Sequence, residues 1–281
     1  MKILKDSIFK IGKAHSVCQD YAANITYPPI RNTTYNVIAL SDGCSSSLNT
    51  DWGSRFIVNE SMSAVWWPKN LKEIMLECQL NISYISDLDP SCLDATLLMA
   101  IIGTSWDNKV SFSMKIYGDG VFAYRLKNDT IKITKVEFTN NAPYYPAYEI
   151  FPERKRNYLE IFGGQKTITE YTILDEKIIN TEIKTVQYNE CNEYEFEVND
   201  LKSFFLFSDG VETFHQVIKT ETSKFTKDIP VVDSVLQIMN CPTFGPFLEK
   251  KYTKLSEQHA KQGIFHADDL SVAAFLFQED L

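Results

Sequence analysis

Two apolar runs in this chain, "VIALSDG" and "FFLFSDG", finish in the same Ser-Asp-Gly, at Asp42-Gly43 and again at Asp209-Gly210. Each run consists of residues that favour strands. Asp followed by Gly marks a turn, because Gly takes positive φ freely and Asp bonds its own backbone there. A single ending of this kind is a plain turn. Two of them, far apart in sequence, point to a fold in which separate strands stop at matching places.

The segments around these endings suggest the architecture. From "DYAANITYPPI" to "NTTYNVIALSDG" β-formers alternate with turn residues, as in two early strands. "TDWGSRFIVNESMSAVWW" places Trp52, Phe56, Ser63 and Trp67 among apolar residues at three-to-four spacing, which predicts a helix capped by Asn49 or Thr50 and ended by Pro68. A second helix is expected from about Asn70 to Ile85. "DATLLMAIIGT", "KVSFSMKIYGDG", "VFAYRLKN" and "TIKITKVEF" then read as strands joined by short polar turns, in the manner of antiparallel hairpins. Between Asn140 and Asn199 helical periodicity is weak, so further strands and a long loop around "NNAPYYPAYEIFPERKRN" are expected. Helical patterning returns at "VETFHQVIK", "PVVDSVLQIMN" and "FLEKKYTKLSEQHAKQG", before a closing strand in "DDLSVAAFLF". Strands in runs and helices in separate pairs argue for an α+β fold of antiparallel sheets with helices on their outer faces, rather than a doubly wound parallel sheet. The 281 residues show no internal repeat or low-complexity segment, and a single domain over 1–281 is expected.

A formal net charge of -9 argues against a generic nucleic-acid binder, which concentrates Lys and Arg on phosphates. The N-terminal "MKILKDSIFKIGKAH" is broken by lysines and lacks the apolar core of a secretory signal, and "ATLLMAIIGTSW" is too short to cross a bilayer. Six cysteines without CxxC pairs suggest free thiols in a reducing compartment. A cytoplasmic protein with neither nucleic-acid nor membrane partners is the expectation.

The acidic residues fall at strand ends. Asp42 and Asp209 end two predicted strands, Asp119 ends "FSMKIYGD", Asp268 precedes the last strand, and Asp20 sits just before "YAAN". If these ends share one sheet edge, several carboxylates converge and repel one another, and a divalent cation would compensate them. Oxygen-only ligation suits Mg²⁺ or Mn²⁺, whereas zinc calls for closely spaced His and Cys that this chain lacks. Gly43, without a Cβ, lets its own carbonyl approach an ion. Two ions ~3.5–4 Å apart can lower the pKa of a bridging water and hold a phosphoryl group for in-line attack. Such a mechanism needs no side-chain nucleophile, in agreement with the lack of a Ser/His/Asp or Cys/Arg signature.

"GKAHSVCQDYA", "ALSDGCSSS", "DWGSR", "DATLLMAII", "YGDGVFAYR", "FLFSDGVE" and "DDLSVAAF" occur in the order of the motif series of the metal-dependent protein phosphatases of the 2C type, and the chain resembles the bacterial branch of that family from about Gly12 to Phe275. The resemblance implies an αββα sandwich of two antiparallel sheets flanked by helix pairs, a binuclear Mg²⁺/Mn²⁺ centre, and phosphoserine or phosphothreonine in proteins as substrate. It implies that Asp42 bridges both metals, that Gly43 offers a carbonyl, that Asp209 and Asp268 complete the other site, and that Asp20 orients water at the ions. Asp119 could hold a weaker third ion. In "DDLSV" it selects Asp268 as ligand and leaves Asp269 where the family carries Asn. A cognate Ser/Thr kinase system is the implied context.

The chain departs from the pattern at several points. His15 stands where many members use Arg to grip the substrate phosphate, Gln19 replaces a common Glu, Cys44 occupies the place of a His in some members, and Thr213 replaces a second third-site Asp beside Glu212. His15 could take the phosphate-binding role when protonated or as a neutral donor. Plainer readings apply to other positions: Arg55 facing solvent on its helix, Ser45, Ser46 and Ser47 forming a turn or cap, Cys18 and Cys44 as structural thiols, and Trp66, Trp67, Tyr144 and Tyr145 as core residues. His215, His259 and His266 lack ligand spacing. A substrate-facing flap is expected between Val211 and Gly263. The altered positions also admit a catalytically weak regulatory module that binds a partner through the same edge, and a hydrolase of small phosphate esters is a third reading.

Overall fold

The computed structural model describes residues 2–65, 69–85, 88–107, 109–219 and 224–279. Two large antiparallel sheets dominate it. The first has seven strands: β1 (Lys2–Lys10), β6 (Gly120–Leu126), β7 (Ile131–Phe138), β8 (Gln165–Leu174), β9 (Lys177–Gln187), β11 (Leu201–Phe207) and β15 (Leu270–Gln278), in spatial order β1-β15-β11-β6-β7-β8-β9. The second has five: β2 (Tyr21–Ile30), β3 (Thr33–Ser41), β4 (Leu97–Ser105), β5 (Val110–Tyr117) and β10 (Glu193–Glu195), in order β10-β5-β4-β3-β2. A small third sheet joins β12 (Phe214–Lys219), β13 (Lys224–Asp228) and β14 (Ile264–His266).

Successive residues of a strand face opposite ways, and the central strands bury both faces. Ile38 and Leu40 of β3, Leu98 and Ala100 of β4, Phe204 and Leu206 of β11, and Ala273 and Phe275 of β15 share one apolar cluster between the two sheets. Their neighbours face outward. Phe205, Phe207, Val272 and Ala274 pack with Val235 and Ile238 of α4 (Val231–Met239) and Leu248 and Leu255 of α5 (Phe247–Gln262). On the other side Val37, Ala39, Leu97 and Met99 pack with Ile57 and Val58 of α1 (Thr50–Ser63) and Met75 and Cys78 of α2 (Leu71–Ile85). The unbroken apolar runs that precede each Ser-Asp-Gly follow from this: a strand covered by a sheet on one face and helices on the other has no solvent side.

The fold is α+β, as the strand and helix grouping suggests, but several elements differ from the sequence reading. "KILKDSIFK" is a strand, β1, paired with β15 along its whole length from Lys2↔Gln278 to Lys10↔Leu270. "FPERKRNYLEIF" is a helix, α3 (Pro152–Phe162), rather than part of a long loop. Only Tyr158 of it is buried, which erases the apolar period, yet its end signals are good: Pro152 at the start and Gly163 in the left-handed conformation at the close. "FHQVIK" is strand β12, not helix, because pairing on both sides, with β13 and β14, decides the matter for a segment of ambiguous period. Asn49 precedes α1 in a left-handed conformation without a side-chain cap, and Thr50 is buried with its hydroxyl turned to the Cys44 carbonyl at 3.1 Å. The readings of Trp66, Trp67 and Pro68 lie outside the described residues.

Candidate functional site

Antiparallel order brings the loop after β3, the turn before β6, the loop after β11 and the entry to β15 to one end of the two sheets. Val121 and Val272 both pair with Phe207, so Asp119, Asp209 and Asp268 stand beside one another. Asp42 joins them from the second sheet, its backbone fixed by Thr96: the Asp42 amide donates to Thr96 Oγ1 at 3.0 Å, and the Thr96 amide donates to the Asp42 carbonyl at 2.8 Å. Gly118, at φ 92°, makes the turn into Asp119, a conformation that a side chain would oppose. Gly43 bridges Ala95 in antiparallel fashion.

Asp42, Gly43, Asp119, Asp209 and Asp268 line one cavity of about 170 Å³, together with Cys44, Ser45, Ser46, Thr96, Asn141, Pro143 and Tyr145. Of the expected site residues, five thus line a common cavity. Asp20 does not line it but lies beneath, fully buried, and neither of its carboxyl oxygens has a hydrogen bond of good geometry, although Ser208, Asp42 and Ser271 are its neighbours. Asp209 Oδ1 is likewise buried and unpartnered.

The acidic groups disturb one another. Burial, with the charge of Asp209 adding to it, pushes Asp20 up to about 7 against the opposing hydrogen bonds of its neighbours. Burial and then the charges of Asp20 and Asp209 hold Asp42 well above the usual carboxylate range. Asp119 is raised in the same way by burial and Asp209, with smaller contributions from Glu212 and Glu137. Asp268 is raised by burial and by Asp209. Uncompensated negative charge therefore concentrates at this end of the sheets. The donors are almost all oxygen, which suits a hard divalent cation. Among the described residues no group of three or more His, Cys, Asp or Glu side chains is arranged so that it could hold a metal ion by itself. Mg²⁺ does not demand one, since it keeps several waters and takes only one or two carboxylates.

His15 is not at the cavity. Its Nδ1 lies 3.1 Å from Asp269 Oδ2 and its Nε2 3.4 Å from Asp268 Oδ1. Burial by itself would lower its pKa, but the hydrogen bond and charge of Asp269, with Asp268 and Asp20, raise it. Asp269 is the residue that sequence reasoning undervalued. It is 2% exposed, and it accepts from the Gly12 amide at 2.7 Å and the Gln19 amide at 2.6 Å, tying the segment that carries His15 and Asp20 to the start of β15. Thr213 donates to the Gly210 carbonyl at 2.9 Å and accepts from the Asp268 amide at 3.1 Å, so it closes the loop between two of the carboxylates. Glu212 pairs with Lys135, and burial lifts it to about 7.

The 43–47 loop has its own support, also unseen in the sequence. Arg154 Nη2 donates to both carboxyl oxygens of buried Asp94 at 2.6 Å, Ser47 donates to Asp94 Oδ2 at 2.9 Å, and the Cys44 amide donates to the Asp94 carbonyl at 2.8 Å. Arg154 belongs to α3, so the helix missed in sequence steadies one wall of the cavity. Cys44 Sγ lies 3.0 Å from Ser46 Oγ; burial would raise this thiol, but the hydrogen bonds of Ser46, Tyr145 and Ser47 leave it below its ordinary value. Cys18, by contrast, is pushed up to about 12 by burial with Asp269 and Asp20 nearby. Arg55 does not reach the cavity. It holds the Asp51 carbonyl and lies over the Tyr21 ring at 5.5 Å. His266 bonds the Asp268 carbonyl at 2.8 Å and the Tyr252 hydroxyl at 2.6 Å.

No family model matches the sequence, and no curated protein matches it. Solved structures do match in shape. A bacterial serine phosphatase, known as a variant with an Arg-to-Glu change, aligns over 99% of this chain and 100% of its own with a TM-score of 0.52 at 11% identity. The 2C-type phosphatase domain with a regulatory fragment of SpoIIE from Bacillus subtilis aligns over 100% of this chain and 65% of its own, with a TM-score of 0.48 at 12% identity. The serine/threonine phosphatase Stp1 from Staphylococcus aureus aligns over 99% and 96%, with a TM-score of 0.48 at 11% identity. The first of these carries the conclusion: the chain has the fold of a bacterial serine phosphatase.

Proposed function

We propose that the chain is a metal-dependent phosphomonoester hydrolase acting on phosphoserine or phosphothreonine in proteins. The observation that carries this reading is the convergence of Asp42, Asp119, Asp209 and Asp268 on one cavity, above the unpartnered carboxyl of Asp20. Two Mg²⁺ or Mn²⁺ ions would supply charge to the phosphoryl group and lower the pKa of attacking water.

The chain's own residues divide the remaining work. Asp42, fixed by Thr96, faces the cavity from one sheet, and Asp209 and Asp268 face it from the other, so these residues of both sheets would hold a divalent cation. The Gly43 carbonyl adds an oxygen donor at the same wall. Asp20, fully buried beside Asp42, adds to the negative charge that bound cations would offset. Asp119 lies farther along the wall, next to Asp209 and Glu212, where a weaker third ion would sit. His15 bears on Asp268 and Asp269 and orients those carboxyls rather than gripping the substrate phosphate. Ser45, Ser46, Asn141 and Tyr145, which also line the cavity, offer neutral donors for a phosphate ester.

The test is phosphate release from p-nitrophenyl phosphate and from a phosphothreonine peptide with Mn²⁺, Mg²⁺ or EDTA. Turnover should require the cation and fall at least about 10²-fold in Asp209→Asn, the scale of losing an electrostatic element of a site. Turnover that survives EDTA, or an undiminished Asp209→Asn, removes the mechanism. A second reading, a regulatory module that binds a partner at this edge, is favoured by the engagement of His15 with Asp268 and Asp269. It predicts partner binding by calorimetry with no phosphate release under any cation.

A further inference from the structure

β9 is the end strand of the seven-stranded sheet and, among the described residues, pairs only with β8. It is 11 residues long, and the turn that leads into it places both Asp175 and Glu176 at positive φ, as a tight two-residue hairpin does. Ile178, Ile179 and Ile183 are 51%, 61% and 68% exposed. Proteins blunt long edges with Pro, bulges or short strands, because an open row of N–H and C=O groups invites another strand. β9 contains no Pro, and its one irregularity lies at the turn end, between Thr172 and Ile173 of β8. From Asn180 to Gln187 the register is regular and the outer side is open.

We propose that a second copy of this chain docks along β9, antiparallel and centred on Ile183, to join the two seven-stranded sheets into one. The argument for this occupant is self-complementarity. About that centre, Glu182 of one protomer faces Lys184 of the other, and the reverse pair forms by symmetry. Thr181 faces Thr185 twice, and the two Ile183 side chains meet. Opposite charges and β-branched pairs directly across an antiparallel ladder are favourable, and like charges are not. A parallel in-register pairing would set Glu182 against Glu182 and Lys184 against Lys184. The present neighbours of these groups do not prevent exchange: Lys184 lies 3.6 Å from half-buried Glu170 and Glu182 accepts from Asn180 at 2.8 Å, with Asn180, Glu182 and Lys184 exposed. A two-fold axis makes the contact isologous and closed, so it yields a dimer and not a fibre. One strand pair is small beside a standard interface of about 1,600 Å², so the dimer is weak and concentration-dependent.

The inference stands apart from the hydrolytic reading, since no residue of β9 lines the cavity. Sedimentation velocity on the full chain should show a dimer fraction that grows with concentration. Ile183→Lys should abolish it while leaving the circular dichroism spectrum and phosphate release unchanged. Under mild oxidation Ile183→Cys should form a covalent dimer that the wild-type chain, with its six free cysteines, does not form, because paired residues at the axis approach within disulfide range. A chain that stays monomeric at every concentration, a dimer indifferent to Ile183→Lys, or equal cross-linking by Ile178→Cys would each overturn the proposal.

Discussion

Asp269 shows how one residue can organise a site without entering it. Its two carboxyl oxygens take the Gly12 and Gln19 amides and hold His15, so the N-terminal segment reaches the strand-entry loop through a single buried side chain. Hydrogen bonds to a charged group contribute about 1.5–3 kcal/mol each, and Asp269→Ala should therefore destabilise the fold by about 3 kcal/mol, read as a lower midpoint in urea with an unchanged slope. An Asp269→Ala protein as stable as wild type would show that the segment is held by other contacts. The family resemblance set Asp268 apart from Asp269 as the expected metal ligand, and of the two it is Asp268 that lines the cavity. Neither the resemblance nor the spacing of the motifs pointed to Asp94, whose partners Ser47 and Arg154 lie 47 and 60 residues away.

At the scale of elements, the site depends on how closely β11 and β15 deliver their loops. A Cβ at Gly210 would lie 1.7 Å from the Asp269 carbonyl oxygen, so no side chain fits where the chain turns after Asp209. Gly210→Ala must push the two loops apart. Overpacking of this kind costs about 1–3 kcal/mol, and it should also lower the affinity for Mn²⁺, since Asp209 and Asp268 move together with those loops. Calorimetric titration with Mn²⁺ checks this; unchanged affinity would mean that the loops do not set the spacing of the carboxylates. Helix α3 makes the complementary point. Its exposed, polar sequence hid it from periodicity, yet its Arg154 braces the 43–47 loop, and the Pro152 and Gly163 at its ends were the legible signal.

For the molecule as a whole, stability and cation binding are linked through protons. Asp20 at about 7, Glu212 at about 7, and Asp42 and Asp119 well above their usual range all have folded-state values above their unfolded ones. Groups raised in this way contribute stability that is present below their unfolded pKa and is lost as pH rises through the folded value. In EDTA the melting temperature should fall from pH 5 to pH 8, and added Mn²⁺ should restore it by an amount that grows with pH. A melting temperature flat across that range, or indifferent to Mn²⁺ at pH 8, would contradict the charge cluster. The sequence by itself determined the paired Ser-Asp-Gly endings, the apolar strands that run into them, four of the five helices expected around those strands, and the set of aspartates at strand ends, because strand length, alternation and turn chemistry are local properties. Only the tertiary structure decided which of those aspartates share a cavity, that Asp20 lies behind it, and that His15 turns to Asp268 and Asp269. Those outcomes depend on strand order and on the burial of charge, and neither is written in any short stretch of the chain.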